Sequence, residues 1–336
     1  MSPRTGKALI DATRSYDWEY RAKSWWVLSS TLALLGVSTV GAVVVPSLPI
    51  RLCCAIASGL LLVRMFIVFH DFMHGAILRD SPVARAILYT YGTLVMTPPR
   101  VWRETHNYHH AHTAQLVGSH IGSYAMVTPR IWAAMSPRAR LHYRVVRHPL
   151  TILFGYFTIF MLGMCAVPFI RAPKKNWQAG LALWVNALLT FGLVYFFGFA
   201  TFFFGYGLPL FVATAAGSYL FYAQHNFPDV RVQPRETWSY TQAALESSSF
   251  MEMGMLMHWF TGNIGYHHVH HLNPSIPFYR LPEAMAAIPE LQHPARTSLA
   301  PREIIRCLRL KMWDPDRGEM IAYPSTTLDL EDHPAV

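Results

Sequence analysis

Residues 51–74 read RLCCAIASGLLLVRMFIVFHDFMH, an apolar run that ends in two histidines. The run covers 52–69 and is interrupted by Arg64, which near a helix end can reach the interface or face protein. His70 and His74 are four residues apart, so on a helix both imidazoles lie on one face. The stretch therefore predicts a membrane helix that presents a pair of metal-ligating side chains at its end.

Two further clusters repeat this pattern, HNYHH at 106–110 and HHVHH at 267–271. The clustered histidines at helical spacing are His70, His74, His106, His109, His110, His267, His270 and His271. Imidazole binds iron, copper, nickel and zinc, which take about four to six ligands, so this number of imidazoles suits two ions. We expect the isolated histidines to be surface or packing residues; they are His112, His120, His142, His148, His293 and His333.

The composition is that of a membrane protein. Of the 336 residues, 52% are hydrophobic and 14% are charged, and the mean hydropathy is +0.23, which is too apolar for an ordinary soluble protein of this length. Apolar runs lie at 25–46, 52–69, 150–170, 180–204 and 206–224. The first, fourth and fifth approach the ~20 residues that a spanning helix needs.

The distribution of positive charge predicts the orientation. The amino end carries Arg4, Lys7, Arg14, Arg21 and Lys23 without a small-residue cleavage pattern, so we expect an uncleaved first span with a cytoplasmic amino terminus. The formal net charge of +9 lies mostly in loops and tails. The positive-inside rule explains this excess without nucleic acid as a partner.

All three clusters must reach one aqueous face if they share a site, which requires an even number of crossings between them. The runs at 25–46 and 52–69 form a hairpin that returns the chain to the cytoplasm at His70. The run at 150–170 ends in the basic stretch RAPKKNW, so we expect it to be re-entrant or interfacial, as we do the short 84–97 segment. The prediction is an all-α integral membrane protein with four spanning helices in two hairpins, interfacial helices and a cytoplasmic histidine-rich cap.

This architecture divides the chain into a cytoplasmic N-terminal segment, 1–24, a membrane domain with its cap, 25–290, and a cytoplasmic C-terminal tail, 291–336. Both termini are expected on the cytoplasmic side. The cysteines have no C-x-x-C spacing, so we expect buried packing residues rather than metal ligands or disulfides; they are Cys53, Cys54, Cys165 and Cys307.

HDFMH, HNYHH and HHVHH, in this order, resemble the three histidine boxes of the membrane fatty acid desaturases. The resemblance extends to TPPRVWRETHNYHHAHT, YAQHNFPD and GNIGYHHVHHLNPSIPFYRLPEA and covers roughly residues 25–290. These longer stretches are similar to the omega-6, or delta-12 type, acyl-lipid branch of the family.

The resemblance implies a non-haem di-iron centre that activates O₂ and introduces a double bond into a fatty acyl chain. It implies that the box histidines are ligands of two iron ions and that a ninth histidine lies between the last span and the third box. His225 in YAQHN stands at that place, with His258 as the alternative. On a helix His268 would point about 100° away from His267, so we expect it outside the ligand set, as an outer or surface residue.

Polar residues beside the boxes can orient the ligand imidazoles by accepting their second N–H. We expect this role for Asp71, Glu104, Asn107, Asp229 and Asn263; Asn263 lies four residues before His267 and so on its helical face. Aromatic residues adjoining the boxes are candidates for the wall of a substrate tunnel; they are Trp102, Tyr108, Trp259 and Tyr266.

Electrons must come from another protein, because the sequence has no haem motif, cysteine cluster or G-x-G-x-x-G. The resemblance implies a ferredoxin or a cytochrome b5-like donor, in addition to a fatty acyl lipid and the membrane lipids as partners. Basic residues near the boxes can steer an acidic donor; they are Arg100, Arg103, Arg231 and Arg235.

Three alternatives remain open at this point. A hydroxylase, acetylenase or other oxygenase acting on a lipid or alkyl chain would use the same di-iron site. A zinc-dependent membrane hydrolase is disfavoured because H-E-x-x-H is absent. A metal or haem carrier is disfavoured because its ligands should lie within the spans, whereas these clusters lie at or beyond span ends.

Overall fold

The computed structural model describes residues 3–324, and this part of the chain is predominantly helical. The helices up to the second half of the chain are α1 Gly6–Thr13, α2 Arg21–Val44, α3 Leu48–His74, α4 Pro82–Leu94, α5 Pro99–His112, α6 Pro129–Ala134, α7 Pro137–Val146, α8 Pro149–Leu153 and α9 Val167–Arg171. The remaining α-helices are α10 Trp177–Phe202, α11 Leu208–Ala223, α12 Tyr240–Glu246, α13 Met255–Phe260, α14 His267–Leu272, α15 Leu281–Ala287 and α16 Pro301–Arg309. Two π-helical stretches, Tyr156–Ala166 and Phe203–Gly207, and three short 3-10 turns, Arg14–Tyr16, Phe278–Arg280 and Pro289–Leu291, complete the helical elements of the described residues.

Three helices of the described chain are long and apolar enough to cross a membrane. They are α2, α3 and a continuous segment of 47 residues, Trp177–Ala223, that contains α10 and α11. The 47-residue segment is bent at Gly198, whose φ of +82° is accessible at low cost only to glycine. Beyond the bend, the Tyr206 hydroxyl donates to Asn186 Oδ1. In a straight helix residues twenty positions apart would be about 30 Å apart, so the two limbs fold back on each other.

The two segments expected to lie in the interface are shorter than a span. The apolar helix Tyr156–Arg171 has 16 residues, 11 in its π-helical part and 5 in α9, and α4 has 13 residues. Against the four predicted spans, the described residues contain three apolar helices, of which the third has two limbs. The number of crossings and the cytoplasmic side of the cap stay predictions.

Helix α3 is the central element of the membrane part. It packs against α2, where Ser58 Oγ donates to Ser38 Oγ at 2.8 Å, and against α11. A Cβ atom at Gly59 would lie 2.6 Å from Val212 Cβ and 2.9 Å from the Pro209 carbonyl oxygen. Arg64 faces protein, because it is buried and its guanidinium donates to the Trp259 carbonyl and lies 4.2 Å above that indole ring.

The all-α prediction is incomplete, because the cap contains short strands. β1 Phe250–Glu252 pairs in parallel with β2 Arg296–Ser298, and β3 Met312–Asp314 pairs antiparallel with β4 Glu319–Ile321. Strands of this length are set by tertiary pairing rather than by a readable alternation of polar and apolar residues.

The division of the chain at 24 and 290 stays a prediction, but both flanking segments pack on the cap. Cys307 and Trp313 lie in one buried cluster with Phe227 and Met251. Near the amino end, the Arg4 side chain pairs with Glu290 at 2.7 Å. His333 and the acidic end of the sequence lie outside the described residues.

The prediction that the four cysteines are buried holds for two of them. Cys165 and Cys307 are buried, Cys54 is partly exposed and Cys53 is exposed, and all four are free thiols. Cys53 lies on the outer face of α3, where an apolar side chain in a membrane helix has no need of burial within the protein.

Replacing Gly59 by Val should destabilise the protein, because the new side chain overlaps Val212 and the backbone of α11. Overpacking of this kind costs about 1–3 kcal/mol. Gly36→Val is the matched control, since a Cβ at Gly36 meets nothing within 4 Å. Thermal unfolding followed by tryptophan fluorescence in detergent should show a lower Tm for Gly59→Val only; equal Tm values for the two variants would contradict the tight α3–α11 contact.

Candidate metal centre

Four separate elements deliver nine histidines to one place in the cap. His70 and His74 form the last turn of α3, which ends because Gly75 adopts φ +75°. The HNYHH box lies on the last turns of α5, which starts at Pro99, and the HHVHH box begins α14. His225 follows the end of α11. The helical spacing read from the sequence thus sets the direction of the eight rings in the three boxes.

The nine histidines form two groups in which the candidate ligand atoms all lie within 4.8 Å of one another. The first cluster is His70, His74, His106, His110 and His270; the second cluster is His109, His225, His267 and His271. Each three-histidine box is divided between the two clusters. The pair four residues apart goes to one cluster and the residue between them goes to the other, because that residue points away around the helix.

Within the first cluster the ring nitrogens face one another at short range. His106 Nε2 lies 3.1 Å from His70 Nε2 and 3.1 Å from His110 Nε2. His270 Nε2 is 3.1 Å from His110 Nε2. His74 Nε2 is buried and has no hydrogen-bond partner among residues 3–324.

The second cluster is centred on His225. Its Nε2 lies 3.0 Å from His109 Nε2 and 2.9 Å from His267 Nε2, and His271 Nε2 lies 3.1 Å from His267 Nε2. His225 is therefore the nearest neighbour of two box histidines that lie on different helices.

This donor set fits metal ions. Burial lowers the pKa of His225 to about 4 and holds the pKa values of the neighbouring box imidazoles His109 and His267 well below the usual range, so these rings are neutral and carry a lone pair. Neutral rings that converge in this way cannot all donate to one another, whereas a cation accepts all their lone pairs. A six-coordinate ion with metal–nitrogen distances of about 2.1 Å separates adjacent nitrogens by about 3 Å, as found here.

Three of the rings have a hydrogen-bonding partner at Nδ1, the nitrogen that does not face the cluster. Asp71 Oδ1 lies 2.9 Å from His70 Nδ1, and its Oδ2 accepts a bond from the Phe278 N–H at 2.6 Å. The Ser247 carbonyl lies 2.9 Å from His225 Nδ1, and Thr113 Oγ1 lies 3.3 Å from His271 Nδ1. The geometry is the one expected for Asp71. Ser247 and Thr113 were missed because a carbonyl or hydroxyl remote in sequence leaves no local signal.

The remaining polar expectations are wrong. Glu104 is half exposed and pairs with Arg100 at 3.1 Å and Lys175 at 2.7 Å, not with a histidine. Asn263 lies in a turn with φ +55°, since α14 begins only at His267, and its Nδ2 donates to the Phe278 carbonyl. Asn107 and Asp229 are exposed.

The two doubtful histidines lie outside both clusters. His258, on α13, packs near the Tyr266 ring with a centroid distance of 5.4 Å. His268 is fully buried rather than at the surface, and its Nε2 lies 3.0 Å from the Leu291 carbonyl oxygen. Burial lowers the pKa of His268 to about 4, so the neutral ring donates to that carbonyl and ties α14 to the turn at 289–291.

The aromatic residues expected to line a tunnel have other contacts. Trp102 stacks on His106, with centroids 4.3 Å apart. Tyr108 donates to the Gly118 carbonyl, Trp259 carries Arg64 on its ring, and Tyr266 packs on Phe250.

An apolar cavity of about 870 Å³ lies instead in the membrane part, and none of these four residues lines it. Its wall is formed by residues of α10 and α11, the Tyr156–Ala166 and Phe203–Gly207 stretches and Met96. Proximity to a histidine box in the sequence therefore did not predict which residues line the cavity.

Comparison with known proteins identifies the family. Residues 46–301 match the family model for fatty acid desaturases. The chain is 33% identical over 276 residues to a fatty acid desaturase of Bacillus subtilis, covering 80% of this chain and 76% of that protein. This chain belongs to the fatty acid desaturase family. The match spans all three histidine boxes, and the protein is a fatty acid desaturase.

More distant relatives of this desaturase have assigned specificities. The sn-1 oleoyl-lipid 12-desaturase of Synechocystis is 23% identical over 276 residues, covering 80% of this chain and 76% of that protein. The sn-1 acyl-lipid omega-3 desaturase (ferredoxin) of Nostoc is 24% identical over 249 residues, covering 68% of this chain and 65% of that protein.

Replacing His225 by Ala should remove one metal ion per chain, because the second cluster then keeps three imidazoles and loses the one closest to both neighbouring helices. His258→Ala is the matched control and should leave the metal content of this desaturase unchanged. Inductively coupled plasma mass spectrometry of the purified, chelator-washed variants measures both. A loss in His258→Ala with none in His225→Ala would reverse the assignment of the ninth ligand.

Proposed function

We propose that this protein is an O₂-dependent acyl-lipid desaturase whose two iron ions are held by the first and second clusters. The observation that carries the proposal is the convergence of nine imidazoles, all buried except that of His74, into a five-membered and a four-membered group. The five and four nitrogen donors would hold two iron ions with fewer than six protein ligands each, so that O₂ would have access to the centre. Iron and O₂ are the proposed cofactor and co-substrate.

The donor set favours iron over the ions used for hydrolysis. Imidazole suits iron, copper, nickel and zinc, but a zinc hydrolase needs a general base near the metal. Among the described residues the one carboxylate hydrogen-bonded to a cluster histidine is Asp71, and both its oxygens are engaged, by His70 and by the Phe278 N–H. It is therefore an orienting group and not a free base.

A bound di-iron centre supplies the oxidising power that is needed to remove hydrogen from unactivated carbon atoms. The part played by the chain is to hold and shield the centre. Of the nine histidines only His74 is partly exposed, and the others are buried. Trp102 covers one side of the first cluster through its contacts with His106 and, at 5.5 Å between centroids, with His70.

The apolar cavity is the proposed site for part of the acyl chain. Its volume of about 870 Å³ lies within the range of lipid and cofactor pockets. The polar groups of Asn186 and Tyr206 in its wall bond to each other, so they do not require a polar ligand. Leu210, another wall residue, and Trp102, whose indole stacks on His106, belong to the same buried core.

We propose four crossings and a cytoplasmic metal centre. The two limbs of Trp177–Ala223 fold back on each other at the bend at Gly198, so each limb can cross once. The basic residues of the 113–149 segment and of RAPKKNW then lie on the cytoplasmic side, as the positive-inside rule requires. Both termini follow on the same side.

The delta-12 or omega-6 type of double bond and the electron donor are also proposals. The specificity of the Synechocystis relative, an oleoyl-lipid 12-desaturase, supports a 12-desaturase, and the ferredoxin-type Nostoc relative supports a ferredoxin as donor. A cytochrome b5-like protein is the alternative donor. Arg103 and Arg235 are exposed and can attract an acidic donor, whereas Arg100 is paired with Glu104.

A host that expresses this chain should accumulate fatty acids with an additional double bond, as measured by gas chromatography with mass spectrometry after derivatisation. His270→Ala should abolish the new products, because His270 is the third-box residue of the first cluster. His293→Ala is the control, since His293 is exposed and remote from both clusters in the described chain.

Hydroxylated products in place of new double bonds would move the assignment to the oxygenase alternative. An unchanged profile from the wild-type chain, with a ferredoxin and its reductase co-expressed, would contradict the proposal.

A further inference from the structure

His225 is placed differently from the other eight histidines. Each box histidine shares its helix with a partner three or four residues away, so the helix fixes their mutual position. His225 stands alone after the end of α11 at Ala223. Its position between His109 and His267 must therefore be set by contacts of the residues on either side of it.

Gln224 and Asn226, the neighbours of His225, are both amides and both are buried. Gln224 Nε2 donates to the Ile264 carbonyl at 2.8 Å, in the turn that leads into the third box. Asn226 Nδ2 donates to the Cys307 carbonyl at 2.8 Å and to the Leu310 carbonyl at 3.2 Å, at the carboxyl end of α16. The two amides thus hydrogen-bond the residues on either side of His225 to two separate segments of the cap.

The third contact of Asn226 is with Arg147, whose guanidinium donates to Asn226 Oδ1. Arg147 has no exposed surface. Its other donated bonds go to the Ala125 carbonyl at 2.8 Å and to the Tyr222 hydroxyl at 3.4 Å. No carboxylate of the described residues forms an ion pair with Arg147.

A buried cation without a carboxylate depends on neutral acceptors, and losing one of them leaves a buried N–H donor unsatisfied. Asn226 Oδ1 is the one side-chain carbonyl among the acceptors of Arg147. The Arg147 guanidinium and the Asn226 amide therefore fix each other's position. Asn226 in turn fixes the backbone next to His225.

We propose that Asn226 and Arg147 are positioning residues that set His225 in the second cluster and so control the metal occupancy of that cluster alone. This inference rests on the proposed function, because it requires two metal ions. The first cluster draws its histidines from α3, α5 and α14, and none of those residues contacts Asn226 through a hydrogen bond in the described chain.

The test is the iron content and Mössbauer spectrum of the full-length protein, purified in detergent and loaded with iron(II). Wild type should bind two ions per chain. Asn226→Leu should bind one and should keep one of the two iron components of the spectrum, matching His225→Ala. Asn176→Leu is the control, because Asn176 also donates its amide to a carbonyl, that of Pro168, but is remote from both clusters.

A double variant separates positioning from folding. Asn226→Leu alone removes one of the three hydrogen-bond acceptors of the buried Arg147 and should lower the Tm, whereas Asn226→Leu with Arg147→Met removes the buried charge as well. The double variant should recover much of the Tm and still bind one iron, because His225 has lost its anchor.

Two ions bound by Asn226→Leu, or by the double variant with a recovered Tm, would overturn the inference. So would loss of both ions from the folded double variant, since the effect would then not be confined to the second cluster. Failure of the wild-type protein to bind two ions would instead contradict the proposed di-iron centre.

Discussion

The fold depends on the convergence of nine neutral imidazoles in a buried space. Adjacent ring nitrogens lie about 3 Å apart, as for His109 and His225 at 3.0 Å, and lone pairs at this separation are unfavourable unless a cation lies among them. The imidazoles can share such a cation only where four parts of the chain meet, namely the ends of α3 and α5, the start of α14 and the residue after α11. Folding of the cap and metal binding are expected to be coupled for this reason.

The division of each box between two clusters follows from helix geometry. In HNYHH, His106 and His110 lie on one face and His109 points toward the second cluster. In HHVHH the assignment is inverted, with His270 in the first cluster. A spacing of three and four residues on two helices thus contributes histidines to both clusters, which His70, His74 and His225 complete. Asp71 and the Ser247 carbonyl then fix individual rings.

The features that the sequence predicted correctly are those that are set by contacts within a single helix. The eight box histidines, the carboxylate of Asp71 and the apolar runs are all readable because their partners lie within a few residues or on the same helix face. Glu104 and Asn263 were misassigned, since their surroundings depend on Lys175 and on a turn that breaks the helix before His267. The fold-back at Gly198, the short strands and the cavity were not readable, because tertiary packing decides them.

The central claim is that the two clusters hold two iron ions through nitrogen ligands. X-ray absorption spectroscopy at the iron edge of the purified wild-type protein, combined with total metal analysis, tests it most directly. If the nine histidines bind two iron ions, the protein should contain two iron atoms per chain. The spectrum should show nitrogen or oxygen neighbours at about 2.1 Å, strong imidazole multiple scattering and no sulfur neighbour. One zinc per chain without iron, or a sulfur scatterer at the iron, would contradict it.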